Sequence, residues 1–183
     1  MIPEVSDLSA SPQLPNELYR NISESLDYFT DRSTLLRLAL VSKAWCAESQ
    51  RVLFRTVGDD PTSPDERERL IQTHTLFLEA IILNPSRLGP YVQTYEQRGL
   101  ICHPALAMGS TFPAVRAGSY LWGLTETALP AFVSLQHLLI VPNANHRWSP
   151  SAASLLNGCT YTLKTLRWGF ESSKPSTTGP LSA

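Results

Sequence analysis

The stretch LPNELYRNISESL, residues 14–26, decides the N-terminal fold because it combines a helix start with a single apolar stripe. Pro15 suits the first position of a helix, where its missing N–H would have no partner anyway. Glu17 places a negative charge in the first turn, where it complements the helix dipole. Apolar side chains then recur at spacings of four, four and three, at Leu18, Ile22, Leu26 and Phe29. This spacing predicts a helix over about 15–27 with one narrow apolar face.

Two more short helices are expected directly after the first. Residues 30–33 form a polar break, and the following segment 34–41 is apolar around most of its circumference, which predicts a helix covered on more than one side. Ser42 is a good capping residue for a third helix over about 43–54. Three short helices in about 45 residues make a core that is marginal alone. Apolar surface left over on the first two helices therefore suggests a partner.

A fourth, longer helix is predicted by the sequence SPDE at residues 63–66, which offers a capping serine, a proline at the first position and an early glutamate. The helix should end near Leu83, because Asn84 and Pro85 stop it. One face of it is largely apolar and predicts packing against other elements: Leu70, Ile71, His74, Phe77, Leu78 and Ile81.

From about residue 91 the apolar runs shorten, and two similar segments stand out. SLQHLLI at 134–140 and TLKTLRW at 162–168 share the pattern x-L-x-x-L-x-Φ and lie 28 residues apart. A period of this length is typical of leucine-rich repeats, with a short strand at L-x-Φ. Val92, Tyr95 and Gln97 follow the same offsets more weakly. Two spaced leucine pairs also arise by chance in ordinary strands, so both interpretations stay open.

Composition indicates a globular protein and argues against several partners. The chain has 183 residues, 43% of them apolar and 17% charged, with a net charge of −1. Without a basic patch we expect no nucleic-acid partner. The longest apolar stretch, 76–83, is broken by Glu79 and is far short of the roughly 20 residues of a membrane span, so no membrane partner is expected.

The compartment is expected to be cytoplasmic, nuclear or both. The N-terminal residues 1–10 lack the basic and apolar regions of a secretory signal. The three cysteines, Cys46, Cys102 and Cys159, are scattered and odd in number, as expected of reduced thiols.

Catalytic, cofactor-binding and metal motifs are not found in the sequence. The histidines His74, His103, His137 and His146 lack ligand spacing, and Cys102-His103 has no second pair. His74, on an apolar helix face, is interpreted as a packed, hydrogen-bonded residue. We therefore expect a protein that is not an enzyme and uses no cofactor; a small enzyme on an irregular α/β scaffold is the alternative from another class.

Residues 14–57 resemble the F-box. The resemblance rests on LPNEL at 14–18, on VSKAW at 41–45, on their separation, and on further apolar positions at Ile22, Leu26, Leu35, Leu38, Val52, Leu53 and Phe54. The stretch 76–95 is similar to the region that follows the F-box in many fungal members, which usually continue into leucine-rich repeats.

The resemblance implies an adaptor function. F-box proteins dock onto a Skp-type adaptor of a cullin-RING (SCF) ubiquitin ligase and present a protein target, which the sequence does not identify. The family's contact positions correspond here to Leu14, Pro15, Leu18, Ile22, Leu36, Val41 and Trp45. For Trp45, Leu26 and Leu38, helical spacing favours a core role, so that their loss is expected to unfold the module. A truncated or degenerate F-box protein that binds the adaptor without a substrate, or acts outside ubiquitination, remains an alternative.

The expected fold is mainly α at the N-terminus, with a three-helix F-box at 12–57 and a linker loop and helix at 58–90. An irregular α/β, leucine-rich-repeat-like region follows at 91–170, and a disordered tail at 171–183. The repeat region is expected to be incomplete, because it has room for two or three repeats while solenoids need about three and a polar cap.

Overall fold

The computed structural model describes residues 14–58, 63–101, 111–141 and 155–169. The fold is mixed α/β, with helices and a small parallel four-stranded sheet. The chain divides into two compact units, Met1–Phe54 and Arg55–Ala183. The predicted disordered tail 171–183 lies outside the described residues. Within the described residues, no helix combines the length and apolar character that a membrane crossing requires.

Unit 1 contains the three predicted helices in the predicted order: α1 (Asn16–Ser25), α2 (Arg32–Leu38) and α3 (Lys43–Leu53). Helix α1 ends before Phe29 because Asp27 organises a turn, in which its Oδ1 accepts the backbone N–H of Phe29 at 2.9 Å and of Thr30 at 2.8 Å. Because α1 ends at Ser25, two residues of the predicted apolar stripe, Leu26 and Phe29, lie beyond the helix, and the Phe29 side chain is exposed.

Helix α2 is shorter than the predicted segment 34–41 at its C-terminal end. It begins at Arg32 and stops at Leu38. Two residues beyond Ala39 make turn hydrogen bonds, from Leu40 N–H to the Arg37 carbonyl and from Val41 N–H to the Leu38 carbonyl, each 3.0 Å. Ser42 then caps α3 as predicted, since its Oγ accepts the N–H of Trp45 at 3.3 Å.

The core of unit 1 is small and lies between the three helices. Leu35 of α2 and Val52 of α3 are its buried apolar side chains, and Ser23 and Ser49 are buried with them. A core of this size leaves many apolar side chains of the unit in contact with solvent.

Unit 2 alternates strands and helices. Its elements in chain order are β1 (Thr56–Val57), α4 (Pro64–Leu83), α5 (Pro85–Leu88), a 3-10 turn (Gly89–Tyr91), β2 (Thr94–Arg98), α6 (Pro113–Ala128), a second 3-10 turn (Leu129–Ala131), β3 (His137–Val141) and β4 (Thr165–Trp168). The strands lie in the order β1-β2-β3-β4, and every neighbouring pair is parallel.

The strand register aligns the similar sequence segments with each other. Leu138 of β3 pairs with Leu166 of β4, and Ile140 pairs with Trp168, so the spacing of 28 residues in the sequence is the register of the ladder. Tyr95 of β2 pairs with Leu138, which brings the weaker third segment into the same alignment. The strands predicted at L-x-Φ are therefore present, and corresponding positions form continuous rows across the sheet.

Helices α4 and α6 cover one face of this sheet and contact each other. The Tyr95 ring of β2 lies 6.0 Å from Phe77 of α4 between ring centroids, and Gln97 Nε2 donates to Thr125 Oγ1 of α6 at 3.0 Å. Tyr95 and Gln97 share a face because side chains alternate along a strand. Both helices therefore pack on that face, where Leu138 and Ile140 are also buried.

Helix α4 belongs to the core of unit 2, although the sequence interpretation placed 58–90 in a linker. Its predicted apolar face is buried at Leu70, Ile71, His74, Leu78 and Ile81. Its predicted cap is also present, since Ser63 Oγ accepts the N–H of Glu66 at 3.2 Å. The boundary between the units falls after Phe54 rather than at 57, because Thr56 and Val57 pair with β2 in the sheet.

Candidate functional site

The apolar residues at the start of unit 1 form an exposed surface. Leu18 and Ile22 lie one turn apart on α1, and Leu14 lies just before the helix; all three side chains are between 41% and 44% exposed. Pro15, also exposed, directly precedes the helix with an extended backbone, and its carbonyl accepts the N–H of Leu18 at 3.0 Å. Four of the predicted contact residues therefore present apolar groups to solvent at one end and along α1.

A second group of exposed apolar side chains lies on α2 and in the α2–α3 turn. Leu36 and Val41, both predicted contact residues, are exposed here. Leu40 beside them is 87% exposed and was not predicted as a contact residue. The apolar run 34–41 could have indicated that Leu40 is exposed, because the run contains more apolar side chains than one buried helix face can hold. Since α2 ends at Leu38, the apolar residues that follow lie in the turn.

Trp45 differs from the other six predicted contact residues. Its ring packs edge to face against the ring of Tyr19 on α1, with centroids 4.8 Å apart, and its side chain is half-buried. Such aromatic pairs stabilise a fold by about 0.5–1.5 kcal/mol beyond the area they bury. The structure therefore gives Trp45 a role inside unit 1, holding α1 against α3.

Charged groups add a second connection between α1 and α3. Arg51 of α3 contacts Glu24 of α1 at 2.8 Å and Glu48 at 2.9 Å, and Arg20 reaches Glu24 at 3.4 Å. The hydrogen bond from Arg51 is the largest cause that lowers the pKa of Glu24. Burial by itself would lower the pKa of Arg51. The hydrogen bonds to Glu48 and Glu24 outweigh this effect, so the pKa of Arg51 is raised overall. These contacts keep the Glu24 carboxylate and the Arg51 guanidinium charged and orient α1.

The turn between α1 and α2 is also held electrostatically. The pKa of Asp27 is lowered, first by the N–H of Thr30 and then by the N–H of Phe29, both of which bind the charged carboxylate. The Asp27 side chain thus determines where α1 ends.

Unit 2 contains a buried polar cluster between its helices and its sheet. His74 Nδ1 lies 3.4 Å from the Tyr95 hydroxyl, and Gln97 Nε2 donates to both that hydroxyl and Thr125 Oγ1. Burial lowers the pKa of His74 to about 4 and raises the pKa of Tyr95. All four side chains are buried, so the prediction that His74 is a packed, hydrogen-bonded residue is confirmed.

Within the described residues, no group of three or more His, Cys, Asp or Glu side chains is placed to hold a metal ion. The pair Cys102-His103 lies outside the described residues.

Comparison of the chain with family models, with curated proteins and with solved structures gave no match.

Proposed function

We propose that this chain is an F-box-type substrate receptor, in which unit 1 binds a Skp-type adaptor of a cullin-RING ubiquitin ligase and unit 2 holds a protein target. In this function the chain performs no chemistry itself. It brings a target close to the subunits that transfer ubiquitin, so that the gain comes from proximity.

The observation that carries the proposal is the exposure of Leu14, Leu18 and Ile22 along one side of α1. Apolar residues at helical spacing normally lie against a core, and a contiguous exposed apolar surface typically marks a binding site. These positions are also the ones that match the family's docking residues. Sequence resemblance and exposure thus favour the same surface.

The rigidity and the apolar character of this surface support a protein partner. Leu14-Pro15 is a rigid apolar pair that loses little conformational entropy on binding. Leu36, Leu40 and Val41 offer further apolar area on α2 and in the turn after it. Apolar anchors that enter desolvated pockets supply most of the free energy in such interfaces. Trp45, in this proposal, supports the docking surface by packing on Tyr19 rather than by contacting the adaptor.

The experiment is a binding titration of the purified full chain with a purified Skp-type adaptor. Changing Leu14 and Pro15 together to alanine should cost roughly 2 kcal/mol or more of binding free energy. Because both side chains are exposed, the melting temperature should stay close to that of the wild type.

A matched control removes the same kind of exposed apolar area elsewhere. Leu76 and Leu83 of α4 are exposed apolar residues in unit 2, and changing both to alanine should leave adaptor binding intact. A folded wild-type chain that does not bind the adaptor would overturn the proposal. So would equal loss of binding in the control variant.

A further inference from the structure

Strand β4 is the last strand of the sheet in the described part of the chain. The row of apolar side chains that crosses the sheet is exposed at this strand. Tyr95, Leu138 and Leu166 occupy corresponding positions on β2, β3 and β4. Tyr95 and Leu138 are buried, at 0% and 1% exposure, whereas Leu166 is 45% exposed. The row therefore continues to the last described strand without being covered there.

The backbone of β4 also offers hydrogen-bonding groups at this edge. Thr165 N–H donates to the Gln136 carbonyl at 3.0 Å and Gly169 N–H to the Ile140 carbonyl at 3.4 Å, so these residues face β3. Backbone groups of successive residues in a strand point to opposite sides, which directs the N–H and carbonyl of Leu166 away from β3. An exposed strand edge of this kind is a template for pairing with another chain.

The charge at this edge is positive. Lys164 lies just before β4 and Arg167 directly follows Leu166 in the strand, and both side chains are exposed. Arg167 pairs in the ladder with Leu139, an apolar residue, so its neighbour on β3 does not neutralise it. A partner with carboxylates at alternate positions would place them on the Arg167 side of the sheet and its apolar residues beside Leu166.

We propose that the outer edge of β4 binds an extended acidic segment of the target protein as a fifth strand of the sheet. The inference rests on the proposed function, in which unit 2 holds the target, and it names the chemical class of the recognised segment. Backbone hydrogen bonds to Leu166 supply pairing, Leu166 selects an apolar side chain, and Arg167 on the opposite face selects acidic ones, while Lys164, just before β4, adds positive charge at the edge.

The test uses the full chain and a capped eight-residue probe peptide in which valine and glutamate alternate, titrated by fluorescence anisotropy. A peptide in which lysine replaces every glutamate is the charge control and should bind at least about tenfold more weakly, because it brings like charges together. The double variant Lys164→Glu with Arg167→Glu should reverse this preference.

Backbone pairing is tested with two N-methylated versions of the valine–glutamate peptide. One is methylated on the valine amides and the other on the glutamate amides; only the set that faces β4 should abolish binding, since alternate amides point to opposite sides. Leu166→Pro removes the outward N–H without removing a bond to β3, as an edge position tolerates. It should weaken binding at least about tenfold, whereas Leu166→Val should bind nearly as the wild type does.

Three results would overturn the inference. The first is a folded chain that binds neither peptide, and the second is binding that is indifferent to N-methylation. The third is a dimer of the chain alone, seen by sedimentation and dissociated by Leu166→Pro, which would make a second copy the occupant. The proposed function is tested separately: Leu166→Pro should keep adaptor binding, and the Leu14-Pro15 double alanine variant should keep peptide binding.

Discussion

The ring of Tyr19 on α1 meets the ring of Trp45 on α3 edge to face, with 4.8 Å between their centroids and 86° between their planes. This pair, together with the Glu24–Arg51 contact at 2.8 Å, attaches α1 to α3. While the Tyr19 side chain packs against α3, the side chains of Leu18 and Ile22 on the same helix remain exposed. The docking surface proposed here depends on a helix whose orientation the aromatic pair maintains.

Trp45→Ala should lower the free energy of unfolding by about 2–3 kcal/mol, somewhat less than the loss of a fully buried ring, because the side chain is half-buried. Trp45→Phe should lose about 1 kcal/mol, since an aromatic ring still meets Tyr19. Urea unfolding followed by circular dichroism measures both. If Trp45→Ala kept its stability and lost only adaptor binding, Trp45 would be a contact residue after all.

Changing Leu40 and Val41 together to serine should leave the free energy of unfolding within about 0.5 kcal/mol of the wild type, because both side chains are exposed. Adaptor binding should fall about tenfold, since apolar contact area is removed. Leu83→Ser, an equally exposed change in unit 2, is the control and should alter neither quantity. Unchanged binding in the double variant would exclude the α2–α3 turn from the interface.

Ser49→Ala should raise the free energy of unfolding by about 1 kcal/mol. In the described structure the Ser49 hydroxyl is fully buried and has no hydrogen-bond partner, so the folded state bears its desolvation cost. Ser49→Val is the size control and should destabilise the unit, because the site is closely packed. A loss of stability in Ser49→Ala, measured by thermal unfolding, would mean that the hydroxyl is hydrogen-bonded in solution.

Unit 2 should lose stability in acid because of His74. Its pKa is about 4 in the folded chain and near 6.5 when unfolded, so the unfolded state binds more protons between these values. The stabilisation is complete above pH 6.5, declines as the pH falls towards 4, and amounts to roughly 3 kcal/mol. Urea titrations at several pH values measure this slope. His74→Leu should flatten it, whatever its stability at pH 7; an unchanged slope would assign the acid sensitivity to other groups.

Local sequence signals predicted the elements that depend on nearby residues. The helix starts at Ser42 and Ser63 could be predicted because a capping hydroxyl accepts the N–H of a residue only three positions further along the chain. The strands at Leu138 and Leu166 could be predicted because the two segments share one sequence pattern, and matching positions of that pattern pair with each other in the ladder. Strand β1 was not predicted, since two residues, Thr56 and Val57, carry no periodicity and pair only through contact with β2.

The candidate docking surface was predicted in part. Leu14, Pro15, Leu18 and Ile22 were recognisable as a group because they are continuous in sequence and helical spacing places Leu18 and Ile22 on one face. Leu40 was missed because its exposure depends on where α2 ends. Trp45 could have faced either way from α3, and only the position of Tyr19 decides it.

The sequence by itself determined the order and type of most helices and strands, since capping, proline positions and apolar periodicity act over a few residues. Only the tertiary structure decided which apolar side chains are covered and which remain exposed. Burial depends on neighbours that are distant in the chain: Leu138 lies on a strand flanked by β2 and β4 and is buried, whereas Leu166, with the same local pattern, has a neighbouring strand on one side of the described sheet.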